Sequence, residues 1–422
     1  MRIFPALLVT SALAAVTTLA VVVVDPPSEP EDPPAAEQAG TQRVTPDPDD
    51  PSTWQTSDRV PGEIARPLPE GARRTIAKDR RLRFTAAPGV TVTGWDEKTP
   101  RGPVRYYVVR AAWEERGVSV DYAHGGKVKK TAPVSELVRR TPDAVAGING
   151  DFFDIGDTGA PIGLGVDRGT GIWKGNENGW TQAFYFGKEG TPHIKSIGLD
   201  VTIRERPELP VLLLNNPQVR HGAIGVYTRR WGLASGYQWT DGQKKDVRIA
   251  HVVDGVVVSN GKAGFPSGSK IEGQYLVARG PWASEQLAKL KVGSKAHLEW
   301  SMPNDHPMGI TGNMIVLKKN RVLTSDDGEM HPRTAVGIDR DRKQVIFLVV
   351  EGRQSFSRGY TMEEVALKLR ALGAEDGINF DGGGSTTLVA QRKHGLKVIN
   401  SPSDGQQRYV PNGLEVIYNK PQ

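Results

Sequence analysis

Hydrophobic and polar positions divide the chain into three regimes. Residues 3–24 run without a charge behind a single basic residue, Arg2, and ~20 apolar residues suffice for one helical span of a membrane. This stretch reads as an export signal. Ala12-Leu13-Ala14 is a small-residue match to a cleavage site, and retention as a membrane anchor is the alternative. Residues 25–70 hold 11 Pro and 11 acidic residues against 3 basic ones. Proline removes donors and the acids repel one another, so this segment is expected to be a disordered, solvated spacer. From residue 71 onward both patterns give way to short apolar or alternating runs bounded by Gly, Asp and Asn. The runs 104–111 (VRYYVVRA), 246–258 (DVRIAHVVDGVVV), 274–278 and 344–350 (QVIFLVV) predict strands. Helix signals are scarcer. Residues 281–290 predict a short helix and 361–372 a better one, with Thr361 as N-cap, Glu364 completing a capping box, Met362, Val365, Leu369 and Leu372 on one stripe, and Gly373 as the stop. The expectation is a single large α/β (α+β mixed) domain with a mixed, sheet-rich core. Residues 71–103 form its amino-terminal extension and 104–422 the main body.

Composition changes this picture in two ways. Across 422 residues there is no Cys, which removes disulfides, thiolate metal sites and Cys nucleophiles together. Any catalysis must run on oxygen and nitrogen side chains. The net charge of +6 conceals an asymmetry, because the acidic spacer leaves residues 71–422 with 50 basic and 37 acidic groups, a net of +13. A basic body beyond an acidic tether suits anionic partners such as phosphate-containing polymers or a lipid surface, although a generally solvated surface has the same charge.

The carboxy-terminal third carries the chemistry. After the strand 344–350 come Glu351-Gly352-Arg353, the capped helix, and a short strand ending in Asp381-Gly382-Gly383-Gly384-Ser385-Thr386-Thr387. A strand, helix, strand unit returns its second strand in the direction of the first, so Glu351 and Asp381 are expected at the same sheet edge, where open α/β sheets place ligands. The three glycines let backbone N–H groups approach an anion closely, or they make only a tight reversal. Ser385 lacks the G-x-S-x-G context of an activated nucleophile; its hydroxyl and those of Thr386 and Thr387 suit a ligand or the turn itself. Two further loops draw notice. Residues 146–153 place Asn149 and Asp151 beside small residues and paired aromatics, and an Asn-Gly hairpin turn is the plain alternative. Residues 331–337 lead Arg333 into a strand.

Taken together, N-G-D-F-F at 149–153, Y-T-x-x-W-G at 227–232, H-P-R-T-A-V-G at 331–337, E-G-R-Q-S at 351–355 and N-F-D-G-G-G-S-T-T at 379–387 resemble the phosphodiester glycosidase family. The resemblance extends from about residue 104 to 416 and includes the closing V-P-N-G at 410–413. Departures are Gly150-Asp151 before the paired aromatics, where the family often has Gly or Ala-Gly, and Glu351, frequently Asp in the family. The family's disulfides cannot form here.

The resemblance implies an exported hydrolase of a sugar–phosphate bond in surface polymers or glycoconjugates. A phosphate monoester leaves with a second pKa of about 6, so a strong general acid is dispensable. Positive charge around the phosphate and a carboxylate near the anomeric carbon are what the site must supply. On this basis the catalytic set is Asp381, as nucleophile or base, with Glu351 as its partner or as the orienter of an arginine, and Arg333 and Arg353 on the phosphate. Substrate binding falls to Asn149, Asp151, the N–H groups of Gly382, Gly383 and Gly384, and the hydroxyls of Ser385 and Thr386. No cofactor is expected; a divalent cation such as Ca²⁺ gathered by Asp381, Glu351, Asp151 and His331 is the lesser possibility. Two alternatives keep other chemistry open: a hydrolase of ordinary glycosidic bonds in envelope glycans, and a non-catalytic binder of anionic wall polymers. Nucleic acid is a poor partner, since no basic-aromatic reader motif is present.

Overall fold

The computed structural model describes residues 53–421. The expected export segment and most of the spacer lie outside the described residues. No helix among the described residues is long and apolar enough to cross a membrane.

Strand accounts for 45% of the structure and helix for 9%, so the fold is mostly β, which corrects the expected balance of α and β. The physical reason is the spacing of the turns. Gly, Asn and Asp interrupt the apolar runs too often for long helices, and the three α-helices among the described residues, Val134–Arg139, Pro281–Ala288 and Met362–Ala371, span only 6, 8 and 10 residues. The run 246–258 is a hairpin rather than one strand: Val247–Val253 pairs antiparallel with Val256–Gly261, and Asp254-Gly255 turns between them with both residues at positive φ, as a two-residue primed turn requires.

Among the described residues, three sheets of five or more strands organise the body, with four two-stranded ones beside them. An eight-stranded sheet runs in the order Ala77–Ala87, Val90–Thr99, Gly102–Ala112, Gln344–Val350, Arg333–Asp339, Asp376–Asn379, Met314–Lys318 and Arg321–Val322. Ten- and five-stranded sheets accompany it. Residues 77–99, expected in an extension, are two full strands of the main sheet. Gln344–Val350 and Asp376–Asn379 do run the same way, but Arg333–Asp339 lies between them and is antiparallel to both. The carboxyl ends that carry Glu351 and Asp381 thus share one edge, two strand spacings or ~10 Å apart.

The apolar run 345–350 is buried on both faces, with alternate residues serving different cores. Val345, Phe347 and Val349 join a large core with Val120, Ile148, Phe184 and Ile310, contributed by the other sheets. Ile346, Leu348 and Val350 turn the other way and pack with Met362, Val365 and Leu369 of the last helix. That helix sits close because Gly337 and Gly377 pair across adjacent strands; a β-carbon at Gly377 would stand 2.6 Å from a Leu369 methyl. Its N-terminus is fixed by the expected capping box, Thr361 accepting from the Glu364 N–H while Glu364 accepts from the Thr361 N–H.

The spacer ends earlier than its composition suggests. From Thr53 on the chain is laid against the body: Trp54, Thr56 and Ser57 are buried, Glu63–Ile64 pairs with Glu329–Met330, and the Ala65 N–H donates to the Gly328 carbonyl at 2.8 Å. Proline and acid content describe how the stretch behaves in water, but not how one strategically placed aromatic, Trp54, docks.

Replacing Thr361 by Ala should remove the cap and the hydroxyl bond to Asp327, costing ~1–2 kcal/mol in urea denaturation, whereas Thr361→Ser should stay within ~0.5 kcal/mol of wild type.

Candidate functional site

The site forms where the triple-glycine loop leaves the sheet edge. The N–H of Phe380 donates to Thr334 O at 2.8 Å and that of Asp381 to Gly150 O at 3.0 Å. Asn149 completes the clamp. Its amide donates to Asp381 O at 2.7 Å, while its carbonyl oxygen accepts from the Thr334 hydroxyl at 2.7 Å and the Thr387 N–H at 3.1 Å. Asn149 is wholly buried, so the expected contact with a sugar is corrected: it positions the loop that carries Asp381.

The Asp381 carboxylate is also sealed. Its Oδ1 accepts the Ser57 N–H at 2.7 Å, the Ser385 hydroxyl bonds to the group, and Oδ2 has no partner among the described residues. Burial pushes this carboxyl up to about 7, against the pull of Ser385, the Ser57 N–H and Arg408. Other buried atoms in the neighbourhood also lack partners: Glu351 Oε2, Arg353 Nε and the hydroxyls of Thr386 and Thr387.

Each glycine has its own reason. Gly382 lies where a β-carbon would meet Pro332 O at 2.5 Å. Gly383 has φ of 59°, and its N–H donates to Pro332 O at 3.0 Å. The Gly384 N–H points at an anion, donating to Asp58 Oδ2 at 3.2 Å. The expected three-donor cradle is therefore corrected for Gly383, whose donor is committed to the backbone.

Three guanidiniums converge here. Arg353, itself at φ of 57°, holds Asp58 with Nη1 to Oδ2 at 3.0 Å and Nη2 to Oδ1 at 3.2 Å. Arg408, absent from the expected set, reaches the same Oδ2 at 2.9 Å, and is steadied by Asp404. Arg333 is wholly buried without a carboxylate in direct contact; it donates to Tyr360 O, Glu329 O and, at 2.6 Å, to the Gln55 side chain. Burial, joined by the like charge of Arg353 and opposed by Asp326, Glu329 and Glu364, pushes its guanidinium down to about 10. Burial and the charges of Arg333 and Arg353 likewise drive His331 far below its ordinary value, so this ring is neutral, accepting from Arg353 at Nδ1 and donating to Glu329 from Nε2. Around Asp58 burial acts upward, but Arg353 outweighs it and holds the carboxyl well below the usual carboxylate range.

Residues 53–60 form a strap across this cleft. Gln55 touches Arg333, Ser57 touches Asp381, and Asp58 touches Arg353 and Arg408. Three positions of one short segment reach all of them, so Arg333, Arg353 and Asp381 share one cleft at most about 10 Å across, ~3.5 Å per residue being the fully extended limit.

Glu351 is held by a different set of groups. Its Oε1 accepts the Ser401 N–H at 2.6 Å, with Tyr107 and Arg105 alongside, and burial raises its pKa. Rather than facing Asp381, it fastens the loop that leads to Asp404 and Arg408. Asp151, expected to touch substrate, is sealed: Oδ1 accepts the Trp180 indole N–H at 2.8 Å, and Oδ2 accepts from Gly163 N–H at 2.6 Å and the Thr311 hydroxyl at 2.8 Å. Among the described residues no three His, Asp or Glu side chains gather as a metal ligand set. The sequence did carry a signal for what was missed: Trp54 is the sole aromatic of residues 25–70, and S-P-S-D-G at 401–405 leads directly to Arg408.

The geometry defines a buried carboxylate beside an arginine-lined anion seat at a sheet edge. Residues 241–417 match the family model for phosphodiester glycosidase. Among solved structures, a hypothetical protein from Synechocystis is similar at 18% identity with a TM-score of 0.66, covering 82% of this chain and 64% of its own. A candidate exported protein from Burkholderia pseudomallei K96243 is similar at 16% identity and a TM-score of 0.65, covering 83% of this chain and 98% of its own. The catalytic domain of zebrafish N-acetylglucosamine-1-phosphodiester alpha-N-acetylglucosaminidase, auto-inhibited by pro-peptide, aligns at 16% identity and a TM-score of 0.43, over 82% of this chain and 89% of its own. The first two likenesses establish a common fold. This chain spans 64% of the length of the Synechocystis protein. No curated protein matches the sequence.

The raised Asp381 pKa has a pH signature. An unfolded Asp titrates near 3.9, and the folded group near 7. Between those values the folded state retains a proton that the unfolded chain has released, so this group's contribution makes stability fall as pH rises. Asp381→Asn cannot titrate. Urea denaturation at about pH 4.5 and about pH 7 should show wild type losing more stability over that interval than the variant does; parallel losses would contradict the assignment.

Proposed function

We propose that the protein hydrolyses glycosyl phosphodiesters, with water entering at the anomeric carbon and a phosphate monoester departing. The observation that carries this proposal is the seat of Asp58. Its carboxylate lies between two guanidiniums and a main-chain N–H, and the residue before it on the strap, Ser57, donates its N–H to Asp381. A substrate phosphate in the same seat meets the same donors, bidentately from Arg353. Its glycosyl carbon then falls beside the Asp381 carboxylate, which serves as nucleophile or as the base for water. Arg333 adds positive charge from behind, and its Nη1 becomes available when Gln55 leaves. Because the departing phosphate monoester has a second pKa of about 6, the arginines suffice to stabilise it and no strong acid is required. Glu351 acts as a positioning residue for the loop bearing Arg408.

With the strap in place the site is closed, since Ser57 covers Asp381 and Asp58 fills the anion seat. The resting protein is therefore self-blocked, and its Asp381 is only partly ionised at neutral pH. The apolar segment 3–24 and the basic body support action outside the cell membrane on anionic envelope glycans, with the chain secreted or tethered by that segment.

The test uses methyl phosphodiesters of hexose 1-phosphates in water enriched in oxygen-18. Asp58→Ala should raise release of free sugar at least several-fold over wild type. Adding Asp381→Asn to it should lower turnover by a factor on the order of 10²–10⁴. The heavy oxygen should appear in the sugar; its appearance in the phosphate would show a phosphodiesterase instead.

A further inference from the structure

Trp180 has features that the proposed chemistry leaves unused. Its φ is 52°, a left-handed conformation that a bulky residue adopts only when its surroundings impose it. What imposes it is a buried apparatus. Asp151 takes the indole N–H at 2.8 Å on one oxygen, and the Gly163 N–H and Thr311 hydroxyl on the other. Lys174, also fully buried, donates to the carbonyls of Ile162 and Gly163. Gly163 provides the space, for a β-carbon there would stand 2.3 Å from the indole ring. Burying a carboxylate and an ammonium together is costly, and this pair touches none of the arginines of the anion seat. It fixes the attitude of the indole together with the Ile162-Gly163 backbone and Thr311 around it.

That indole borders the cleft. Phe152 meets it edge-on at 5.4 Å, and Trp54 of the strap lies against it, ring centres 6.2 Å apart at 58°. The order of contacts along the strap is therefore Trp54 on Trp180, Ser57 on Asp381, and Asp58 in the anion seat. Read as a substrate, this order is apolar ring, reacting carbon, phosphate. A pyranose offers a face of polarised C–H groups, which the negative face of an indole attracts. We propose that Trp180 is the platform on which the sugar ring of the substrate stacks once Trp54 withdraws, and that Asp151 is the residue that positions it. This inference rests on the glycosyl phosphodiester reading and adds to it the source of selectivity for a sugar over a bare phosphate ester.

The test is done on the full chain carrying Trp54→Ala and Asp58→Ala, by calorimetric titration with inorganic phosphate and with glucose, mannose and N-acetylglucosamine 1-phosphates. Inorganic phosphate reports the arginine seat alone. Adding Trp180→Ala should weaken the preferred sugar 1-phosphate about tenfold and leave inorganic phosphate unchanged. Trp180→Phe should recover most of the loss, and Asp151→Asn should fall between. Unchanged preference for sugar phosphate in Trp180→Ala would overturn the proposal. So would equal weakening of both ligands in Trp180→Ala and Trp180→Phe, which marks a merely structural residue. If inorganic phosphate itself fails to bind the strap-released protein, the anion seat is wrong and both proposals fall together.

Discussion

The side chain of Asn149 is the fastening on which the site depends. It ends a strand of the five-stranded sheet, yet its amide reaches the backbone of Asp381 and Thr387 and the hydroxyl of Thr334, which belong to loops and a strand beyond that sheet. An amide can do this because it donates and accepts at once. A carboxylate of the same shape would face the Asp381 carbonyl with no proton to give, and an apolar isostere would leave a buried carbonyl, a hydroxyl and an N–H unanswered, each at a cost of ~1–3 kcal/mol. The loop thus has one low-energy course, and Asp381 one position.

A second constraint is electrostatic. Arg333, Arg353 and Arg408 converge on a region that is largely closed to water, with the neutral His331 between two of them. Like charges in such surroundings repel strongly, and the one carboxylate seated directly between Arg353 and Arg408 is Asp58. Remove it, and two guanidiniums and the Gly384 N–H are left facing one another across the seat. The cluster is tolerable only with an anion in it. Occupation by the strap and affinity for a phosphate are consequences of the same excess of positive charge.

Much of this was legible in the sequence because it is local. The capping box of Thr361 and Glu364, the doubly buried strand 344–350, and the arrival of Glu351 and Asp381 at one edge follow from period and chain direction. What was not legible is where a side chain goes when its partner is far away in sequence. Asn149 and Asp151 have the composition of ligands, yet the structure turns both inward: one to the backbone of Asp381, 232 positions on, the other to the indole of Trp180 and the hydroxyl of Thr311. Glu351 has the right edge but serves a neighbouring loop. Strand direction places a backbone; only the packing of all three sheets decides which atoms meet.

The strap raises a question of affinity that its anchoring answers. Its ion pairs with Arg353 and Arg408 are largely closed to water, so they give way only when another anion takes the seat. The chain immediately after it is tied down by the pairing of Glu63–Ile64 with Glu329–Met330 and by the bond from Ala65 to Gly328. Residues 53–60 cannot diffuse away, so their effective concentration at the seat is on the order of millimolar. Tethering then keeps the cleft filled. A ligand wins by replacing these contacts in kind: a phosphate meets the same guanidiniums with greater charge, and a sugar takes the place of Trp54 on Trp180. A more tightly bound strap would protect the site equally well and would never yield it.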